Sequence, residues 1–215
     1  MTAETEGSDP RELAALRSVR LFSIMAIIGY VFSTISFVIS VSYIWTVIPE
    51  IGRGNISHIG PALMFSVVLS IVGFIILILS ILFMREGYGL LKGNYPEFRS
   101  PYEGTTLYFS GLVVILVGIV IVVSSSILGF PVVVLAGGIF ILAGGVVGFV
   151  GIILSLIVGI FRLDAKYGGF ATAAVLFIFG LFFPVFSFVA AALVYHRTTK
   201  KITELSGQQA QGINS

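Results

Sequence analysis

Apolar residues come in five long runs, at about 21–46, 61–84, 106–128, 131–160 and 169–195, with short polar intervals between them. An α-helix rises 1.5 Å per residue, so about 20 apolar residues cross a hydrocarbon layer about 30 Å thick. The pattern predicts an all-α polytopic membrane bundle of about five transmembrane helices. Turn chemistry fills the gaps: Pro49 and Gly52 to Asn55, Gly87 to Tyr102, Ser124 to Pro131, and Arg162 to Gly169. The fourth run is long for one span. Halving it would leave two segments too short to cross, with no polar turn between them, so one tilted or protruding helix is expected.

The flanks have their own signals. Asp9, Pro10 and Glu12 form a helix-start pattern, cap then proline then capping-box acid. It predicts a short interfacial helix within 1–20 that feeds the first span. The first run is too long for a signal-peptide core, so it is expected to stay in the mature chain. Residues 196–215 form a polar C-terminal tail, and its Gly- and Gln-rich end from Ser206 is expected to be disordered.

Composition supports the membrane reading. Of 215 residues, 57% are hydrophobic and 10% charged, against roughly 25% charged in soluble domains. A net charge of +2 spread over several loops gives no nucleic-acid footprint. With no Cys, disulfides, thiolate metal sites and Cys nucleophiles are excluded. Lys and Arg flanking the runs favour the N-terminus inside. Five spans would then put the C-terminus outside, a placement that the basic Arg197, Lys200 and Lys201 oppose. A sixth span, or a re-entrant fourth run, would resolve the conflict. Asn55-Ile56-Ser57 is a glycosylation sequon, which makes Asn55 a candidate modification site if the first loop is outside.

Candidate chemistry is sparse. No ionisable residue falls inside an apolar run, so neither a proton relay nor a paired-carboxylate site is expected. No cofactor, metal or catalytic residue is assigned, and the chain is not expected to be an enzyme. The runs do carry stripes of small and hydroxyl residues at helical spacing. Gly29, Ser33, Ser36 and Ser40 lie in the first, and Ser66, Ser70, Gly73 and Ser80 in the second. Gly111 and Gly118 lie in the third, and Gly144, Gly148, Gly151 and Ser155 in the fourth. Small residues let helices approach closely in lipid, so these are helix-packing candidates. The serines of the first two runs could instead line a narrow polar path. Leu135 to Gly138 is echoed by Leu142 to Gly145. Pro184 is expected to kink the fifth span. The stretch from Arg85 to Thr106 mixes charge with aromatics, as a headgroup-lying loop or a docking surface would.

Glu12-Leu13-Ala14-Ala15-Leu16-Arg17, Arg85-Glu86-Gly87-Tyr88 and Phe161-Arg162-Leu163 with Tyr167-Gly168 resemble a family of archaeal membrane proteins, the domain of unknown function 973. The resemblance implies a multi-span helical fold over most of the chain and no activity or site residues. The leading expectation is a non-enzymatic structural or accessory subunit of a membrane assembly. A passive channel or small-solute facilitator is the alternative. Expected partners are membrane lipids and further membrane subunits, its own copies or others, in the cell membrane.

Overall fold

The computed structural model of the chain describes residues 9–51, 60–128 and 130–212. The described residues form helices joined by short turns, without strands. Helix α1 is Pro10–Ile51, α2 is Gly60–Leu91 and α3 is Arg99–Leu128, the last entered through a 3₁₀ turn at Pro96–Phe98. Helix α4, Pro131–Ile152, passes through a π-helical turn at Ile153–Val158 into α5, Gly159–Tyr167. Helices α6, Ala171–Gly180, and α7, Pro184–Gly212, complete the chain. Four helical stretches are long and apolar enough to cross a membrane, and the protein is a helical membrane protein. Asn55 lies outside the described residues.

Helices α1 and α2 run antiparallel in one hairpin, and α3 and α4 in another. Both hairpins start at the same end of the bundle, here called basal. The buried core gathers there. It contains Val19 and Phe22 of α1, Met84 and Tyr88 of α2, Ile160 of α5 and Phe170 before α6. Toward the distal end most apolar side chains are exposed, including Phe37, Val120 and Leu142, as expected of helices bathed in lipid.

The fourth run is one continuous helical path from Pro131 to Tyr167, as its length and unbroken apolarity predict, and its irregularity has a local cause. In the π turn the Gly159 amide donates to Leu154 O, one residue further back than α-helical geometry would have it. That leaves the Ser155 carbonyl to accept the hydroxyl of fully buried Tyr88 at 2.9 Å. A Cβ on Gly159 would stand 2.1 Å from that hydroxyl. The π turn and Gly159 together admit Tyr88, whose hydroxyl must find a partner once buried.

The fifth run is not a single kinked span. It breaks after Gly180, and α7 turns back along α6. A Cβ on Gly180 would meet Ser187 N at 2.8 Å, and one on Gly169 would meet Arg197 Nη1 at 3.2 Å. The ends of the two helices thus pair in antiparallel order. Pro184 supplies the break, since it lacks an amide proton and its ring blocks the preceding turn. Helices α6 and α7 form a re-entrant hairpin, and the C-terminus returns to the basal end. Every Lys and Arg among the described residues lies at that end, including Arg197, Lys200 and Lys201. The distal C-terminus expected from five full spans is corrected accordingly.

Three further expectations change. The end of the chain is helical through Gly212, and α7 there carries Lys200–Glu204 and Lys201–Glu204 pairs. The stretch from Arg85 to Thr106 is almost wholly helical and folds under the bundle, with Phe98 buried beside Tyr88. Asp9 does cap α1, accepting from Arg11 N at 2.9 Å, but the Glu12 carboxylate does not close a capping box. It accepts from Tyr95 Oη and, at 2.6 Å, from Lys166 Nζ. That ion pair is largely buried and ties α1 to α5 across the basal end.

Candidate functional site

The hydroxyl stripes of α1 and α2 meet. Ser36 Oγ donates to Ser66 O at 2.7 Å, and Ser40 Oγ donates to Ser66 Oγ at 3.1 Å. Nearer the basal end the backbones close further. A Cβ on Gly29 would lie 3.2 Å from Gly73 O, and one on Gly73 would lie 2.9 Å from Ser33 Oγ. No polar path separates these two helices, because the serines bond directly across the seam.

The same stripe has a second exposure. Ser33, Ser36 and Ser40 of α1 and Ser70 of α2 border a cavity of about 580 Å³, whose other walls include Tyr30 and Pro184. It lies beyond the tip of the re-entrant hairpin, in the part of the bundle that the hairpin leaves unfilled. A second cavity of about 300 Å³ lies on the basal side of the tip, walled by Phe22, Tyr108, Leu156, Phe177 and Ser187 among others. Tyr30 and Pro184 border both. Tyr30 of α1 and Ser187 of α7 both wall the basal cavity, so the approach of α1 to the start of α7 sits where the two cavities adjoin. Ser80 lines the basal cavity, and its hydroxyl donates to Leu77 O at 2.6 Å.

Depth places this arrangement within the membrane. The apolar run of α1 starts near Leu21, and Tyr30 stands about nine residues further, some 14 Å along the axis. Backbone that leaves regular helical bonding at such depth is tolerated where protein buries it or where it lines a cavity. The Gly180–Pro184 turn is of that kind. Leu181 N and Phe182 N still donate to the carbonyls of Ile178 and Phe179, at 3.3 and 3.1 Å. Phe182 and Phe183 at the tip are 75% and 61% exposed, which suits an apolar surround. Among the described residues no group of His, Asp or Glu is placed to hold a metal ion.

The third and fourth runs use their glycines differently. A Cβ on Gly144 would come within 2.7 Å of Gly111 O, and one on Gly151 within 2.3 Å of Tyr108 N. Gly118 and Gly137 face each other in the same manner. Gly148 itself has room, since its Cβ would meet Gly111 Cα at 3.9 Å and Tyr108 O at 4.0 Å, both ordinary contacts. The restriction runs the other way, since a Cβ on Gly111 would stand 2.4 Å from Gly148 N. Gly138 and Gly145, the repeated pair, face open space. Ser155 is fully buried and its hydroxyl bonds to Gly151 O at 2.7 Å.

Sequence reasoning passed over Tyr30 and Ser187. A tyrosine in mid-run was the available signal, because its hydroxyl needs a partner at that depth.

A family model described as protein of unknown function (DUF973) matches residues 10–214, nearly the whole chain. The chain belongs to the DUF973 family. No curated protein and no solved structure matches the DUF973 chain. The family match agrees with the resemblance carried by the helix-end segments around Arg17, Tyr88 and Tyr167, and it brings no activity with it.

Proposed function

We propose that this DUF973 protein is a passive facilitator that admits a small uncharged solute to the membrane interior. One observation carries the reading: a proline-broken re-entrant hairpin ends at mid-depth against a hydroxyl-lined cavity. Discontinuous helices meeting at the midplane are the recurrent way for membrane proteins to present polar groups to a solute. The residues offered are Ser33 and Ser70, with Ser36 and Ser40 in the same wall already bonded to Ser66 and Tyr30 at the junction of the two cavities. Hydroxyl groups without a fixed charge favour an uncharged solute, because an ion at this depth would need charged or carbonyl ligands.

An accessory subunit was the other expectation. The small-residue stripes that suggested it pack within the chain, hairpin on hairpin, and so lose their force as evidence of a partner. The basal core closes the lower cavity beneath Phe22 and Leu156. Complete passage therefore requires the α6–α7 hairpin to move. The reading places the basal, Lys- and Arg-rich end in the cytoplasm and the protein in the cell membrane.

Stopped-flow measurement of liposome volume with glycerol and urea as solutes tests this. Flux above protein-free liposomes is expected, with a loss of at least about fivefold in Ser70→Leu. Ser70 is chosen because it is exposed to the cavity and far from the basal core. No flux of either solute through folded protein would overturn the proposal.

A further inference from the structure

At the basal end, the turn from α5 into α6 faces the last charged turns of α7. Between them is a pocket of about 200 Å³, walled by Tyr167, Gly168, Gly169, Arg197, Lys200 and Lys201, with Glu204 at its border. Gly168 and Gly169 have φ of 71° and 84°, in the left-handed region that favours glycine. The turn therefore presents bare backbone to the Arg197 guanidinium, which a side chain at Gly169 would crowd.

The charges do not balance. Three cations share one carboxylate, and the lysines already hold it: Glu204 is 2.8 Å from Lys201 Nζ and 3.9 Å from Lys200 Nζ. The Lys201 hydrogen bond keeps the Glu204 carboxyl below its ordinary range, so it is an anion at neutral pH. Asp164, the nearest acid in the preceding helix, is engaged elsewhere, accepting from Phe170 N and Ala171 N at the start of α6. Arg197 has neither an ion pair nor a hydrogen bond among the described residues.

Depth narrows the ligand. Ser187 and Tyr30 wall one cavity, and α7 runs antiparallel to α1. Arg197, ten residues past Ser187, therefore lies at the level of Arg20, where the apolar run of α1 begins. That is the level of lipid headgroups. A guanidinium fork beside two ammonium groups suits a tetrahedral anion with several oxygens. Basic pockets between helices on this side of a membrane are suited to anionic headgroups.

We propose that the pocket formed by the Gly168–Gly169 turn and by Arg197, Lys200 and Lys201 binds a phosphate group, either that of an anionic phospholipid or a free phosphate. The proposal is independent of the facilitator reading and needs no flux to be tested.

The test is native mass spectrometry of the full chain in detergent with added phosphatidylglycerol or phosphatidylcholine. A parallel titration uses inorganic phosphate on protein in phosphatidylcholine nanodiscs. Retention of one phosphatidylglycerol, about tenfold over phosphatidylcholine, is expected. The double change Arg197→Gln, Lys200→Gln should lower it at least about fivefold. Glu204→Gln should raise it, an effect that a purely structural role for these residues does not produce. Arg11→Gln with Arg99→Gln removes the same charge from the same end and should leave binding unchanged. Arg197→Lys, with unchanged elution and melting, separates lost contact from lost fold. Saturable binding of inorganic phosphate would assign the site to free phosphate, and binding of phosphatidylglycerol without it to the lipid headgroup. Binding of neither, or equal loss in the Arg11/Arg99 control, would overturn the proposal.

Discussion

Gly151→Leu is expected to abolish recovery of folded protein, while Gly145→Leu on the same helix leaves yield and melting temperature unchanged. Both residues are helical glycines, and helix propensity alone would favour leucine at both by about 0.8 kcal/mol. Packing reverses that at only one of them. A Cβ on Gly151 would lie 2.3 Å from Tyr108 N and 2.7 Å from Gly104 O, whereas nothing lies within 4 Å of one on Gly145. The obstruction at Gly151 is backbone, which cannot swing aside as a side chain can, so α3 and α4 must separate. Overpacking a side-chain site costs roughly 1–3 kcal/mol, and forcing two backbones apart along a lipid-facing hairpin should exceed that. Gly148→Ala gives an internal control. Its only new contacts, near 3.9 Å, are ordinary, and near-neutral melting is expected. Size-exclusion profiles and thermal unfolding in detergent read all three variants. Equal tolerance of Gly151→Leu and Gly145→Leu would mean that α3 and α4 are not packed as described.

Lys166→Met should destabilise the basal end by about 3–5 kcal/mol, because it strands the Glu12 carboxylate in a largely buried position. Glu12 and Lys166 side chains are 12% and 14% exposed, and the ammonium also lies 2.8 Å from the centre of the Tyr95 ring. The double change Glu12→Gln, Lys166→Met should recover most of the loss. Removing both charges of a buried pair leaves nothing uncompensated, and a glutamine oxygen can still accept from Tyr95. Denaturant unfolding of the two single variants and the double measures the coupling. Additive losses would show that the two residues do not form the clasp between α1, the 3₁₀ turn and α5.

These contacts show what sequence alone could carry. The glycines Gly111, Gly144 and Gly151 are legible because both helices show the small-residue spacing independently. Gly104 and Gly180 are not, nor is what Gly159 accommodates. Gly159 makes room for Tyr88, which is remote in sequence, and only the folded chain brings the two together. The membrane class was plain from run length, as were the four long spans. The fifth run misled because 27 apolar residues look the same whether the helix crosses or doubles back. Pro184 marked the break without giving the direction of the chain after it. The better clue was electrostatic. The basic Arg197, Lys200 and Lys201 conflict with a distal C-terminus, and the hairpin removes that conflict. Serine stripes were legible as a set but not in their division. Ser66 serves the seam with α1, while Ser70, one turn further along α2, borders the cavity. Glu12 matched a local capping pattern, yet a buried lysine and a tyrosine from remote segments bind its carboxylate more strongly than its own helix end does.

The re-entrant α6–α7 hairpin puts the cavity at mid-depth and the phosphate pocket at the basal surface. The chain has no cysteine, so single cysteines at Arg11 and Gln208 can be placed without a background. Labelling them in sealed vesicles with an impermeant maleimide compares the two ends of the chain directly. The structure predicts that both react from the same side and are protected from the other. Labelling of Arg11→Cys and Gln208→Cys from opposite sides would contradict it and restore a full fifth span.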